Sequence, residues 1–462
     1  MKLVMISKYL GLLILITIWA SLDTSITNLA AITSSLKTNS FLDILSVLRT
    51  LSPYIAFTIL ILFFSKQLIF KIKNKNLNFI VKILIFNFLI QVIGLFTHQE
   101  GTFLNNSHLV LQSFMTIALL VTQFNNDNSK NILIASIVIA SLIFFWFSLI
   151  MMRWYFSEAN EQANLYGGWP SAFNVIPGLT ENVPRSSGIA RTSLIIIIPL
   201  SLNLIIKKKI KIYYLLLYIF FLNMILLTQS RFVLLGCVLH ICVAFLYIIS
   251  LKLKIIITLK KIFLILLIPL ICHSAIVALK TYSITINDNY KGDTKIIKNY
   301  TTKNLIKKYV RTIDNQSFTS RRFEDWQAIL KKNSNVLFGN GVMGDRWIIQ
   351  QSASNIFLYN YASSGIVGIF LFGVIMLRSF FICSKIILFD EKKINKNNYF
   401  LLAACYIQYF LMGRALIESS FAVFGVDFLI FFAAYFFTEQ YCEKKNYKNN
   451  LTRKTDFTNL GL

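Results

Sequence analysis

The chain has 462 residues, 56% of them apolar and 14% charged, and a mean hydropathy of +0.63. A soluble core cannot hide that much apolar surface in many separate runs of about 20 residues, whereas a bilayer can, so a water-soluble globular enzyme is excluded. The formal charge of +26 would suit a nucleic acid, but Lys and Arg gather between apolar runs, where membrane topology already requires them, so no nucleic-acid partner is expected.

Continuous Leu, Ile and Phe runs without period-2 alternation select membrane helices over barrel strands. The opening stretch MKLVMISKYLGLLILITIWA lacks a small-residue cleavage site and reads as a first helix whose lysines stay inside. About twelve spans are expected in chain order, near 4–22, 45–65, 78–97, 108–124, 132–152, 191–206, 212–228, 232–251, 262–279, 352–377, 399–413 and 421–438. The fold class is therefore an all-α polytopic membrane protein. Basic connections at Lys66–Lys75, Lys207–Lys211, Lys252–Lys261 and Lys385–Lys396, and a tail with Lys444, Lys445, Lys448, Arg453 and Lys454, alternate with the others. That alternation places both termini in the cytoplasm. The chain then divides into N-terminal membrane helices (1–152), a first long extracytoplasmic loop (153–190) and central membrane helices (191–279). A large extracytoplasmic loop (280–350), C-terminal membrane helices (351–438) and a basic cytoplasmic tail (439–462) follow. The six cysteines show no disulfide framework, and the four histidines form no HExxH or similar cluster, so neither a metal nor another cofactor is expected. No internal repeat or inverted half stands out, which counts against a transporter.

Connections as long as the two loops usually carry function. The first contains half of the prolines (Pro170, Pro177, Pro184) and ends in RSSGIARTSL, where Arg185 and Arg191 stand at the mouth of an apolar run. Arg231 lies in a second polar knot, TQSRFVLLG, between two more such runs. Because the positive-inside rule disfavours cations on the outer face, arginines there need a reason, and a fork-shaped guanidinium suits a phosphate or carboxylate. The alternative role is as headgroup anchors.

In the large loop, SRRFEDWQAILKK reads as a short helix with Ser320 as its N-cap and Lys331 and Lys332 at its C-terminal end. Phe323, Trp326, Ile329 and Leu330 are expected to form one apolar face, with Arg321, Arg322, Glu324 and Asp325 at its start. GNGVMG follows; it matches GxGxxG by letter, but no βαβ unit surrounds it and a tight turn is the expected use. Further along, Arg414 and Glu418 are spaced i,i+4 and should form a local ion pair.

These pieces resemble, in order, the bacterial O-antigen polymerase/ligase family, the Wzy-like membrane glycosyltransferases. RSSGIARTSL resembles the family's Arg-x-Ser-Gly segment entering a helix, and TQSRFVLLG its Ser-Arg hairpin. SRRFEDWQAIL with LFGNGVMG resembles its periplasmic Arg-x-x-x-Trp helix and Phe-Gly-x-Gly turn, and SASNIFLYNYASSGIVGIFLF its closing segment. The resemblance covers roughly residues 180–380. It implies an enzyme of the bacterial inner membrane that moves a glycan from undecaprenyl diphosphate to a lipid-linked acceptor repeat unit, making O-antigen or capsule. Membrane lipids, a chain-length regulator and a flippase would be its partners. Arg185 and Arg191 would neutralise the leaving diphosphate; Arg231, Arg321, Arg322, Trp326 and Asn355 would hold substrate; Glu324 or Asp325 would take the acceptor proton. Where many ligases of the family have His-Asn, this chain has Ser354-Asn355, which favours a polymerase over a ligase. The rival of another class is a flippase for lipid-linked sugars.

The lysine alternation makes a topological prediction. A reporter active only outside the cytoplasm should work when fused within 280–350 and fail at 207–211 or after 440. Activity of the tail fusion would mean an odd number of spans.

Overall fold

The computed structural model describes residues 41–73, 77–98, 103–124, 129–155, 186–206, 211–228, 230–250, 261, 263–290, 322–349, 352–390, 399–418, 421–422 and 425–459. The expected span at 4–22, most of the first long loop, Arg185, Arg321 and Ser320 lie outside them. All regular structure among the described residues is helical. The helices are α1 (Phe41–Lys73), α2 (Phe79–His98), α3 (Phe103–Leu119, continued by a π-helical turn over Leu120–Phe124) and α4 (Ser129–Tyr155). Next come α5 (Ser186–Ile206), α6 (Ile212–Thr228), α7 (Arg231–Ser250) and α8 (Ile268–Tyr290, preceded by a π-helical turn over Phe263–Leu267). Two short helices, α9 (Arg322–Lys332) and α10 (Gly344–Ile349), lead into α11 (Ile356–Asp390), α12 (Tyr399–Ala415) and α13 (Val426–Asn459). Among the described residues, four stretches are long and apolar enough to cross a bilayer: Phe79–Phe96, Ser129–Leu149, Gly188–Ile206 and Ile356–Leu388. These mark a helical membrane protein. Shorter apolar helices cover Tyr54–Lys66, Ser107–Gln123, Ile212–Thr228, Phe232–Val243 and Phe263–Leu279.

The chain forms two compact units. Unit 1 lies within Met1–Ile139 and Thr319–Leu462, and unit 2 within Ala140–Phe318.

In unit 1, α2 packs on α3 and α11, and α11 packs on α12 and α13. Aromatic rings fill its centre: Phe421 stacks on Phe431 at 3.8 Å, and Phe428 and Phe432 lie 4.5 Å apart. Polar side chains tie the helices where apolar burial gives no preference for protein over lipid. Ser379 donates to Gln408 Oε1 (2.7 Å), and Gln408 in turn donates to Thr438 (3.1 Å), linking α11, α12 and α13. At the end where α2 begins, buried Glu439 accepts from Asn78 (2.6 Å), Arg378 (2.7 Å) and Tyr435 (2.9 Å). The expected span ends at residue 377, but α11 continues to Asp390, so Arg378 lies within the helix rather than beyond it. Its guanidinium sits 5.6 Å from the ring centre of Phe79, level with the first residue of α2.

The helix α11 is broken near its start. Gly365 takes φ 66° and ψ −158°, a conformation a residue with a Cβ rarely adopts, and the helical ladder is interrupted there. The freed groups are paired by the loop that precedes the helix. Asn340 and Gly341 N–H donate to the carbonyls of Ala362 (2.7 Å) and Ser363 (3.1 Å). In the other direction, Ile366 and Val367 N–H donate to the carbonyls of Val336 (2.9 Å) and Leu337 (3.5 Å). The GNGVMG turn thus forms, and it is pressed against two helices. A Cβ on Gly341 would come 2.5 Å from the Leu95 nitrogen, and one on Gly94 would come 2.5 Å from the Gly341 nitrogen. Beyond this contact, Val342 and Met343 are buried against Leu95 of α2 and Leu109 of α3.

In unit 2, α5 packs on α6 and α7, and α6 packs on α8. Of the residues in the α5 span, 83% are buried. Ser201 of α5 and His240 of α7 are 2.6 Å apart and buried, Lys261 donates to the Ile205 carbonyl at the end of α5, and Tyr218 donates to the Ile265 carbonyl (3.1 Å).

Gly94 lies in regular helix, so replacing it tests the close approach alone. Gly94→Ala should destabilise the docked turn by about 1–3 kcal/mol, the usual cost of overpacking. A lower melting temperature and faster proteolysis within 333–349 would report it, whereas Gly373→Ala, which meets nothing within 4 Å, should change neither.

Candidate functional site

The end of unit 1 where α11 begins carries the densest set of charged side chains among the sequence-predicted ones. Here α9 packs on α10 and α11. Glu324 and Asp325 occupy its first turn and Lys331 and Lys332 its last, each sign matching the helix dipole. Trp326 reaches back and donates from Nε1 to the Ala353 carbonyl (2.9 Å), which fixes the helix to the segment entering α11. The expected single apolar face is divided. Ile329 is buried and Trp326 half-buried, but Phe323 and Leu330 remain exposed.

From α9 a line of charges runs into the bundle. Arg322, half-exposed, lies 3.6 Å from Glu418, and Glu418 lies 4.0 Å from Arg414. The i,i+4 pair expected from the sequence is therefore the weaker contact of Arg414. Its closer partner is the buried Asp427 of α13, at 3.1 Å. Spacing along the chain could not show this, because Asp427 comes from the next helix.

Asp345 is 1% exposed. Its two oxygens accept the backbone N–H groups of Arg346 (3.0 Å) and Ala353 (2.8 Å), stapling the start of α10 to the segment before α11. Burial pushes its carboxyl up to about 6, against the opposing pull of those N–H groups and of the Arg346 charge. With both oxygens engaged and no exposure, it positions the loop. Glu324, by contrast, is exposed and Asp325 half-buried.

Asn355, expected to touch substrate, is the N-cap of α11. Its Oδ1 accepts from Phe357 (2.8 Å) and Leu358 (3.2 Å), and its Nδ2 donates to the Leu416 carbonyl (2.8 Å). Ser354 before it has φ 50°, unusual for a residue with a side chain. On α2, Asn87 and Gln91 are buried without a hydrogen-bond partner. They share a helix face with Gly94, which meets the GNGVMG turn. Their signal in the sequence is two amides one turn apart inside an apolar run.

In unit 2, Arg191 stands in the second turn of α5 and is half-buried, and Arg231 is the first residue of α7. Because α5, α6 and α7 follow one another up and down and α5 packs on α7, both arginines lie at the same end of that unit. Both helices also turn their positive dipole ends that way, an arrangement suited to an anion. Among the described residues, no three His, Cys, Asp or Glu side chains gather as metal ligands.

Compared with family models, curated proteins and solved structures, the chain matches none at a significant level.

The Asp345 staple predicts a pH dependence with a definite sign. The folded chain holds this proton more tightly than the unfolded chain, whose carboxyl titrates near 3.8. The burial cost is therefore present above pH 6 and relieved as pH falls through it. The melting temperature of the wild type relative to Asp345→Asn should move in the wild type's favour between pH 7 and pH 5. A difference that stays flat would place the carboxylate in water.

Proposed function

We propose that the protein is a polysaccharide repeat-unit polymerase of the bacterial cytoplasmic membrane, with about twelve spans and both termini inside. In this reading the acceptor is the sugar hydroxyl of one lipid-linked repeat unit and the donor is a glycan on undecaprenyl diphosphate. The hydroxyl oxygen attacks the anomeric carbon, the carbon–oxygen bond to the diphosphate breaks, and the diphosphate leaves with the electron pair. Arg185 and Arg191 neutralise the charge that develops on it, which is where electrostatic stabilisation contributes most. Glu324 or Asp325 takes the hydroxyl proton. Arg231, Arg321 and Arg322 are further contacts for the diphosphate, and Trp326 offers a ring to a sugar face.

The observation that carries the reading is Arg191. It is a half-buried guanidinium in the second turn of α5, at the start of the apolar stretch Gly188–Ile206. An ionised group costs about 2.5–3.5 kcal/mol at the centre of a membrane helix and less near its end, and a phosphate at the interface would offset what remains. A polymerase is favoured over a ligase because Ser354-Asn355 supplies no imidazole and Asn355 is engaged in capping α11.

With purified protein and lipid-linked repeat units, Arg191→Ala should slow chain extension by about 10²–10³-fold, the range for losing one oxyanion-stabilising donor. Arg191→Lys should rescue poorly, because a point charge cannot make the bidentate contact. Of Glu324→Gln and Asp325→Asn, the one that removes the base should lower the rate by about 10²–10⁴-fold and flatten its acid limb. Wild-type product lengths from Arg191→Ala would return this residue to the role of headgroup anchor.

A further inference from the structure

The loop that repairs the break in α11 leaves its tip uncovered. Val336, Leu337 and Phe338 are 45%, 59% and 50% exposed, although they lead directly into the GNGVMG turn that is pressed against α2. In water, three consecutive exposed apolar side chains would be a liability. Their depth shows what covers them.

The helix α2 serves as a ruler. Its apolar span runs from Phe79 to Phe96, about 27 Å at 1.5 Å per residue, close to the thickness of the hydrocarbon core. One end is marked by Arg378 against Phe79 and the other by Gly341 against Gly94. On α11, Ser363 and Arg378 are separated by about 22 Å, as are Gly94 and Phe79 on α2, so the two helices agree. The GNGVMG turn therefore meets α11 inside the apolar span of α2. The tip goes further in, because Val336 and Leu337 bond to Ile366 and Val367, which lie beyond Ser363 toward the bilayer centre. Ile366 and Phe370, 50% and 68% exposed on the same span, face lipid there, and the tip continues their surface.

We propose that the Val336–Phe338 tip is a re-entrant wedge seated among the acyl chains of the leaflet in which α11 begins. That is the outer leaflet in the topology above. The exposed Phe323 and Leu330 of α9 belong to the same surface, with Lys331 and Lys332 at the level of lipid phosphates, as in helices that lie in a membrane interface. Backbone that leaves helical geometry at this depth is tolerated because the Ala362 and Ser363 carbonyls and the Ile366 and Val367 N–H groups are paired with the preceding loop. The wedge follows from the fold and does not depend on the transfer reaction.

The test is photo-crosslinking of the full-length protein in native membranes. Phe338→p-benzoylphenylalanine should, on irradiation, gain the mass of one phospholipid, as should the same substitution at lipid-facing Phe370. At Phe372, fully buried on the same helix, no lipid adduct should form. Should the Phe338 variant fail to insert, Leu337→p-benzoylphenylalanine reads the same surface. A lipid adduct at 370 with none at 337 or 338 would overturn the proposal, and so would crosslinks from the tip to protein alone.

Discussion

A backbone N–H or C=O left without a partner in hydrocarbon costs several kcal/mol, and the architecture of unit 1 where α11 begins follows from how this chain meets that cost. The break at Gly365 releases carbonyls and amides within a membrane-length helix, and the segment Val336–Gly341 accepts and donates to them. Because the partner comes from the loop, pairing fixes the loop in place. Trp326 then ties α9 to the Ala353 carbonyl, and Asp345 ties α10 to the Ala353 N–H, so three local contacts refer the charged surface back to one helix. Glycine at 94, 341 and 365 is what allows backbones to come this close.

The charges of unit 1 are distributed at its two ends. At one, Glu439 is held by Asn78, Arg378 and Tyr435; at the other, Arg414 is held by Asp427 and Glu418. A buried pair contributes little net stability, but removing one partner leaves an uncompensated charge and costs about 3–5 kcal/mol. Such pairs therefore act as specifications of helix register more than as sources of affinity between helices. The Ser379–Gln408–Thr438 bridge does the same between the ends, without charge. At the end where α11 begins, Glu418 is partly open and pairs with Arg322, beside the carboxylates of α9.

Much of the helical layout was legible because hydropathy along one chain records it. The run at 212–228 is α6 to the residue, and 78–97 differs from α2 by one residue at each end. The short helix of the large loop and its glycine turn were legible from capping and turn chemistry. Contacts between distant residues were not. Nothing near Arg414 in the chain points to Asp427, and nothing in SSGIVG distinguishes a glycine that packs from one that breaks a helix. The apolar face of α9 shows the same limit from the other side. Its periodicity identifies Phe323, Trp326, Ile329 and Leu330 together, but cannot say that protein covers two of them and something else the others.

Under the proposed function the substrate is lipid-linked, and the break, the wedge and the charged surface then answer to one constraint. Such a substrate is confined to the plane of its leaflet, with its phosphates a fixed distance above the acyl chains. A catalytic group on a free loop would have to find that plane at each encounter, and the entropy of doing so would be charged against every turnover. A loop anchored by backbone hydrogen bonds to a spanning helix already has its height set. With α9 lying along the interface as proposed, Arg322, Glu324 and Asp325 would stand at the level where phosphate and the first sugars arrive. What is left of the search is lateral diffusion, which the membrane supplies.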